Sequence, residues 1–271
     1  LASSAASDVY KRQTGGVVLE IMTLFIIFLV GIFAGTINIV SAGGSLIVLP
    51  LLIFFGLPTT VANASNRVAI LVQNLLGLYV FYIKGMKNVK LSLMLSVPAI
   101  IGSFIGVHYA INLPDAVFNR MLGIIMLLVL IVMIIPTRWK DTQKQSEKLS
   151  TFRIFLLIIV FLALGIYGGI VQAAVGFLFI IALNLIMPRL TYAEVQCMKT
   201  LVITIYLSLS TFVFIFQGYV NWPFAISLAL GSGLGGFIGG RLTVSLPEKK
   251  LKIVMFIIIF ILAIKLLIEN N

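Results

Sequence analysis

The sequence predicts an all-α polytopic membrane protein of two inverted repeats, with about eight full spans and two short half-helix or re-entrant segments that follow broken helices. Two observations carry this prediction. Hydrophobic residues make up 61% of the 271 residues and charged residues 10%, whereas a soluble domain carries about 25% charged residues. In addition, one apolar segment that is interrupted by Gly and an amide side chain occurs twice, about half the chain apart.

The charged and metal-binding residue types exclude several classes of protein. The chain has one Cys and one His, which rules out an internal disulfide and makes a Cys-based or His-rich metal site implausible. The net charge of +11 could indicate a nucleic-acid partner, but Lys and Arg lie mostly in short loops, where they set orientation in a membrane. We therefore predict no nucleic-acid partner, no metal and no cofactor.

Two membrane repeats are joined by a polar linker. Residues 1–16 are small and polar and are interpreted as a disordered tail or a cloning or assembly scar. The first membrane repeat is 17–136, the cytoplasmic linker is 137–151, and the second membrane repeat is 152–271, the two repeats forming one domain. Stretches long enough to span a membrane, about 20 residues each, occur at 17–37, 66–84, 90–112, 116–136, 152–172, 195–217, 222–245 and 249–268.

Each repeat contains one broken apolar segment. Residues 31–50 read GIFAGTINIVSAGGSLIVLP and residues 165–184 read GIYGGIVQAAVGFLFIIALN, so that Asn38 matches Gln172. The short runs that follow, at 45–57 and 174–187, are each about 13 residues, which suits a half-helix or a re-entrant segment. Half-helices that meet inside a membrane expose backbone groups, so the paired breaks indicate a binding site near the midplane.

Loop charges predict that the repeats are inverted. The loop at 84–90, the linker and the loop at 241–252 are rich in Lys and Arg, whereas the loops at 112–116 and 218–222 have none. The positive-inside rule places the rich loops in the cytoplasm. The helices after the two breaks then cross in opposite directions. The alternative is a chance similarity between two apolar stretches.

The breaks supply the first candidate binding residues. An amide in hydrocarbon needs a partner, so Asn38 and Gln172 either bind a ligand or satisfy the broken backbone. Free N–H groups at a helix N-terminus form an anion site, which small residues alone could also explain as close packing. The residues placed there are Ser41, Gly43, Gly44 and Ser45 in the first copy and Gly176 in the second.

Two cations follow the breaks at matching places. Arg67 and Lys199 each lie near the start of the next helix, about one to two turns inside the membrane, and intramembrane cations are functional candidates. A pair approaching from opposite faces would suit an anion, and snorkelling to the headgroups is the alternative. Polar residues on the same two helices extend the candidate lining: Asn63, Asn66, Gln73 and Asn74, and Thr200, Thr204 and Tyr206.

The other titratable residues give weaker indications of function. His108 stands alone in an apolar helix and suits a structural hydrogen bond better than a proton relay. Glu194 is expected at a helix start, where negative charge is favoured. No buried carboxylate pair is visible, so the sequence offers no carboxylate-based proton or sodium site.

Three segments together resemble the sulfite exporter TauE/SafE family. They read AGTINIVSAGGSLIVLPLL at 34–52, GLPTTVANASNRVAILVQN at 56–74 and YGGIVQAAVGFLFI at 167–180, and the resemblance covers about residues 17–270. It implies a membrane transporter or permease for sulfur-containing anions such as sulfite, thiosulfate or sulfonated organic acids.

The leading functional hypothesis is a secondary transporter of small anions that works by alternating access. It would be a multi-pass protein of the plasma (inner) membrane whose partners are a small anionic substrate and the lipid bilayer. A coupling proton or cation and oligomerisation are left open. The alternatives are an anion channel, a transporter of another small organic acid and a scaffold. A membrane-embedded enzyme is disfavoured, because no nucleophile–base or metal constellation is present.

Overall fold

The computed structural model describes residues 2–41, 43–86, 88–134 and 150–243. In these residues the protein is entirely helical, which confirms the predicted class. The helices are α1 Ala2–Ser41, α2 Ser45–Phe54, α3 Thr59–Ile83, α4 Val89–Ala110, α5 Asp115–Ile134, α6 Thr151–Ile170, α7 Val175–Ile186, α8 Tyr192–Phe216 and α9 Trp222–Leu242.

Six helices of the described residues are long and apolar enough to cross a membrane, namely Leu19–Val40 within α1, and α3, α4, α6, α8 and α9. The fourth predicted span corresponds to helix α5, which is not among these six helices. The eighth predicted span, at 249–268, lies outside the described residues. Helix α1 begins at Ala2, so most of the segment set aside as a tail is described as helix.

Short helices follow both breaks. Helix α2 has 10 residues and α7 has 12, which gives lengths of about 15–18 Å, roughly half of the hydrocarbon core. A carbon atom added at Gly44 would overlap the carbonyl oxygen of Ala34, so the chain turns back along the end of α1 before α2 begins. These helices are therefore half-helices rather than spans.

Helix starts follow from local sequence. Thr191 and Glu194 form a capping box at the start of α8, which agrees with the position expected for Glu194. Asn221 caps α9 and Ser150 caps α6. Helix α3 begins directly after Pro58, about two turns earlier than the apolar run alone predicts, because its first turns carry polar residues.

Glycines allow two helix pairs to approach closely. Helix α1 packs on α9 and α4 packs on α6, and an added carbon at the glycines of either contact would overlap backbone of the partner helix. Small residues at such contacts allow helix backbones in a membrane to pack closely. The contact glycines are Gly31, Gly35, Gly231, Gly235 and Gly239 in the first pair and Gly102, Gly106, Gly165 and Gly169 in the second.

The two helices that follow the breaks form the centre. Helix α3 packs on α9, α8 packs on α4, and α3 and α8 contact each other. Their buried faces are polar, whereas the outer faces of the molecule expose large apolar side chains such as Tyr79 and Phe212. Such an outer surface suits lipid, and the polar centre is where a site can form.

Candidate functional site

The end of α1 is held by side chains from α8. A helix leaves its last four carbonyl groups without an intrahelical partner, and in α1 these begin at Asn38. Lys199 donates from Nζ to the carbonyl oxygen of Asn38 at 3.1 Å. Gln196 donates from Nε2 to the carbonyl oxygen of Val40 at 3.0 Å. The first break is therefore closed by α8.

The end of α6 is held by α3 in the same way. Arg67 donates from Nη2 to the carbonyl oxygens of Gly168 at 2.9 Å and Gly169 at 2.5 Å. Asn63 donates from Nδ2 to the carbonyl oxygen of Ile170 at 2.8 Å. Cations at a helix C-terminus also oppose its negative dipole end. Each broken helix is thus capped by the long helix that follows the other break.

A small cavity lies between the two half-helices. Its volume is about 10 Å³, room for roughly one water molecule. Both half-helices begin at its wall, so the positive ends of two helix dipoles meet there. Its lining residues are Asn38, Ser45, Ile70, Asn74, Gln172, Val175, Gly176, Lys199 and Ile203.

Donor groups dominate the polar wall of this cavity. The Asn74 carbonyl oxygen Oδ1 accepts from Gln73 Nε2 at 3.2 Å, and Asn74 Nδ2 is buried without a hydrogen-bond partner. The Gln172 oxygen Oε1 accepts from Tyr206 at 2.9 Å, which leaves its NH₂ end for the cavity. The Lys199 ammonium has three donors and is described with one bond. No Asp or Glu of the described residues lines the wall.

Six predicted site residues line the cavity, namely Asn38, Ser45, Asn74, Gln172, Gly176 and Lys199. Four others act beside it: Gln73 and Tyr206 hold lining amides, and Asn63 and Arg67 hold the end of α6. Asn66 is buried away from the lining, Ser41 is the last residue of α1, and Gly43 and Gly44 lie in the turn before α2. Ser45 also joins the two breaks, because its Oγ accepts from the Ala174 N–H at 3.3 Å.

The two amides that match in sequence do not occupy equivalent places in the structure, and neither do the two cations. Asn38 lies within α1, whereas Gln172 lies after α6 with φ of 59°. Helices α3 and α8 each have 25 residues, and aligning their starts places Lys199 opposite Asn66 rather than Arg67. One residue rotates a helical side chain by about 100°, and of the two cations Lys199 lines the cavity and Arg67 does not.

Neither cation snorkels. Arg67 is 0% exposed and Lys199 is 3% exposed. The Arg67 guanidinium also donates to Ser210 and lies 4.7 Å from the Phe214 ring centroid. His108 is exposed and lies against Tyr109, and the cavity lining contains no residue of α4.

Sequence reasoning missed several contributors. Gln196 carries a capping bond and lies three residues before Lys199, a spacing that puts both on one helix face. Tyr167 donates to the Ala173 carbonyl oxygen at 2.6 Å and supports the second break. Ile70 and Ile203 form the apolar part of the wall, and apolar residues in apolar helices give no signal.

The helices and their lipid-facing surface define an integral, multi-pass membrane protein. The family described as Sulfite exporter TauE/SafE matches residues 27–266, so the chain belongs to this family of membrane transporters.

Curated relatives match this chain over nearly their whole length. A probable membrane transporter protein, ORF9, of a Sinorhizobium species is 24% identical over 91% of this chain and 93% of its own. A probable membrane transporter protein of Haemophilus influenzae is 23% identical over 92% and 96%. Probable membrane transporter protein YdhB of Bacillus subtilis is 25% identical over 87% and 95%. No solved structure matches the chain.

Proposed function

We propose that the protein is a secondary transporter of small anions whose substrate binds in the cavity between the two half-helices. The observation that carries this proposal is the chemistry of the cavity wall. The wall offers an ammonium and two amide NH₂ groups whose oxygens are already engaged. A wall of donors without a carboxylate attracts an anion and repels a cation.

The half-helices add to this preference. Ser45 begins α2, and Val175 and Gly176 begin α7, all at the wall. The N–H groups of Leu46, Ile47 and Phe177 already donate to the carbonyl oxygens of Gly43, Gly44 and Ala174, so these helix starts favour an anion mainly through the positive end of the helix dipole. Two such ends face one ligand with Lys199 beside them, while Lys199 and Arg67 oppose the negative dipole ends of α1 and α6.

Inverted repeats are the second part of the proposal, and matched contacts support it. The glycine contacts of α1 with α9 recur in α6 with α4, with residue numbers shifted by 134 on one helix and 129 on the other. The capping of the breaks is reciprocal as well, because α3 caps the end of α6 and α8 caps the end of α1. The matched contacts are Gly31 with Leu228 and Gly165 with Ala99, and Gly231 with Phe28 and Gly102 with Leu162.

Sulfur oxoanions are the proposed substrate class. Sulfite, thiosulfate and organosulfonates present several acceptor oxygens around one centre, which suits convergent donors. The family supports this class, and another small organic acid is the alternative. The cavity volume of about 10 Å³ is too small for such an anion, so the repeats must separate around it. An enclosed cavity of this size favours a carrier over a channel.

Counterflow in proteoliposomes tests the proposal. Vesicles loaded with unlabelled sulfite or thiosulfate should accumulate the radiolabelled anion faster than empty vesicles, because a carrier exchanges its substrate. Flux that shows no saturation and no acceleration by internal anion would indicate a channel. No anion flux, with sulfite, thiosulfate and short organosulfonates all tried, would contradict the proposal.

A further inference from the structure

Two apolar plugs lie on opposite sides of the cavity. The first, the near plug, consists of Ile39, Phe81 and Cys197, which pack together and are at most 7% exposed. Phe81 lies seven residues beyond the cavity residue Asn74 on α3, about 10 Å along the helix. Cys197 lies two residues before Lys199 on α8. The near plug therefore separates the cavity from the C-terminal end of α3.

The second, the far plug, consists of Ala64, Ile170 and Phe214. A shift of 133 residues, the offset between the starts of α3 and α8, converts Ala64 into Cys197 and Phe81 into Phe214. The same shift relates Ile70 to Ile203, both of which line the cavity. Each plug thus combines one phenylalanine, one small residue and one isoleucine from the end of a broken helix.

The plugs differ in what lies outside them. A pocket of about 440 Å³ borders the near plug and is lined by Phe81, Cys197, Lys84 and Glu194 among others. The far plug is covered by Val107, Ala110 and the chain after α8. The Arg67 guanidinium also rests on Phe214 while it holds the end of α6. In the described part of the chain, the near plug borders a pocket whose wall includes Lys84 and Glu194, and the far plug is braced.

We infer that the two plugs are the gates of the anion pathway and that the pocket beside Phe81 is its near-side mouth. This inference rests on the proposed transport function and adds the route to the site. Moving Phe81 joins the pocket to the cavity, and moving Phe214 opens the opposite side. Because Ala64 and Cys197 are small, each phenylalanine ring supplies most of the closing bulk of its gate.

Thiol labelling tests the gates without any substrate. In a Cys197→Ala background, Ile203→Cys places a reporter in the cavity wall, and Ala fits position 197 because Ala64 occupies the matching place. A membrane-impermeant thiosulfonate is added to vesicles of either orientation. Phe81→Ala should raise the labelling rate from the side of the α3 C-terminus by roughly tenfold or more, since a buried phenyl ring contributes strongly to closure. Phe214→Ala should raise it from the opposite side.

Lipid-facing aromatic residues supply matched controls. Tyr79 on α3 and Phe212 on α8 are 56% and 55% exposed, so Tyr79→Ala and Phe212→Ala should leave both rates unchanged. If Phe81→Ala does not fold, Phe81→Leu should give a smaller rise on the same side. An unchanged labelling rate, or an equal rise in the rate from both sides, would overturn the assignment of the two plugs as gates even if anion flux is intact. Sided labelling without anion flux would leave the gates standing and reject the proposed function.

Discussion

Replacing Lys199 with Met removes the charged side chain from the cavity wall while keeping its length. Lys199 is 3% exposed and donates to the carbonyl oxygen of Asn38 at 3.1 Å. The ammonium is therefore held at the wall before an anion arrives. A hydrogen bond to a charged partner contributes about 1.5–3 kcal/mol. We expect Lys199→Met to raise the Kd for the anion roughly 10- to 150-fold.

Calorimetric titration of sulfite or thiosulfate into purified protein measures this change. Lys90→Met is the matched control, because Lys90 is exposed at the start of α4 and its loss removes the same charge without touching the cavity. Thermal unfolding of both variants separates binding from stability, since Lys199→Met also leaves the Asn38 carbonyl unpaired. Equal anion affinity in wild type and folded Lys199→Met would refute the assignment of Lys199 to the site.

Three further predictions concern packing, orientation and capping. Gly235→Ala should lower the free energy of unfolding by about 1–3 kcal/mol, because the added carbon overlaps α1 backbone, whereas Gly233→Ala meets side-chain ends of α3 and should be milder. Tyr206→Phe should weaken anion binding roughly 2- to 12-fold by releasing the Gln172 amide, and Tyr79→Phe should not. Arg67→Met should destabilise the fold by about 2–6 kcal/mol, because it leaves the carbonyl oxygens of Gly168 and Gly169 at the end of α6 unpaired, and folded protein should still bind anion. Thermal unfolding and calorimetric titration measure these effects.

Each of these predictions has an opposing result. Equal melting temperatures for the two glycine variants would mean that the helices do not pack through backbone contact at this point. Unchanged anion affinity after loss of the Tyr206 hydroxyl would remove the amide of Gln172 from the site. Loss of anion binding by a stable Arg67→Met protein would show that Arg67 contacts the anion and that its capping role is secondary.

Much of the site could be predicted from the sequence because polar residues are rare in apolar helices. A Lys, an amide or a Gly run inside a membrane segment needs a structural or functional reason. Asn38, Gln172 and Lys199 could therefore be identified from residue type and position alone. The half-helices could be predicted for a similar reason, since their apolar runs are too short to span.

The rotation of α3 and α8 about their own axes could not be predicted from the sequence. Arg67 and Lys199 occupy nearly equivalent places in the sequence, yet a shift of one residue changes the direction of a side chain by about 100°. Both cations cap the end of a broken helix, but of the two only Lys199 also lines the cavity. The orientation of Asn74 and Gln172 depends on partners such as Gln73 and Tyr206, and these contacts form only after the helices pack.

Anomalous scattering from bound selenite, the selenium analogue of sulfite, locates the anion most directly. The central claim is that an anion binds between the N-termini of α2 and α7. We expect an anomalous selenium peak in this cavity. The selenite oxygens around it should lie about 3 Å from Lys199 Nζ and from the NH₂ groups of Asn74 and Gln172. A peak against Arg67, or in the pocket beside Phe81 alone, would contradict this claim.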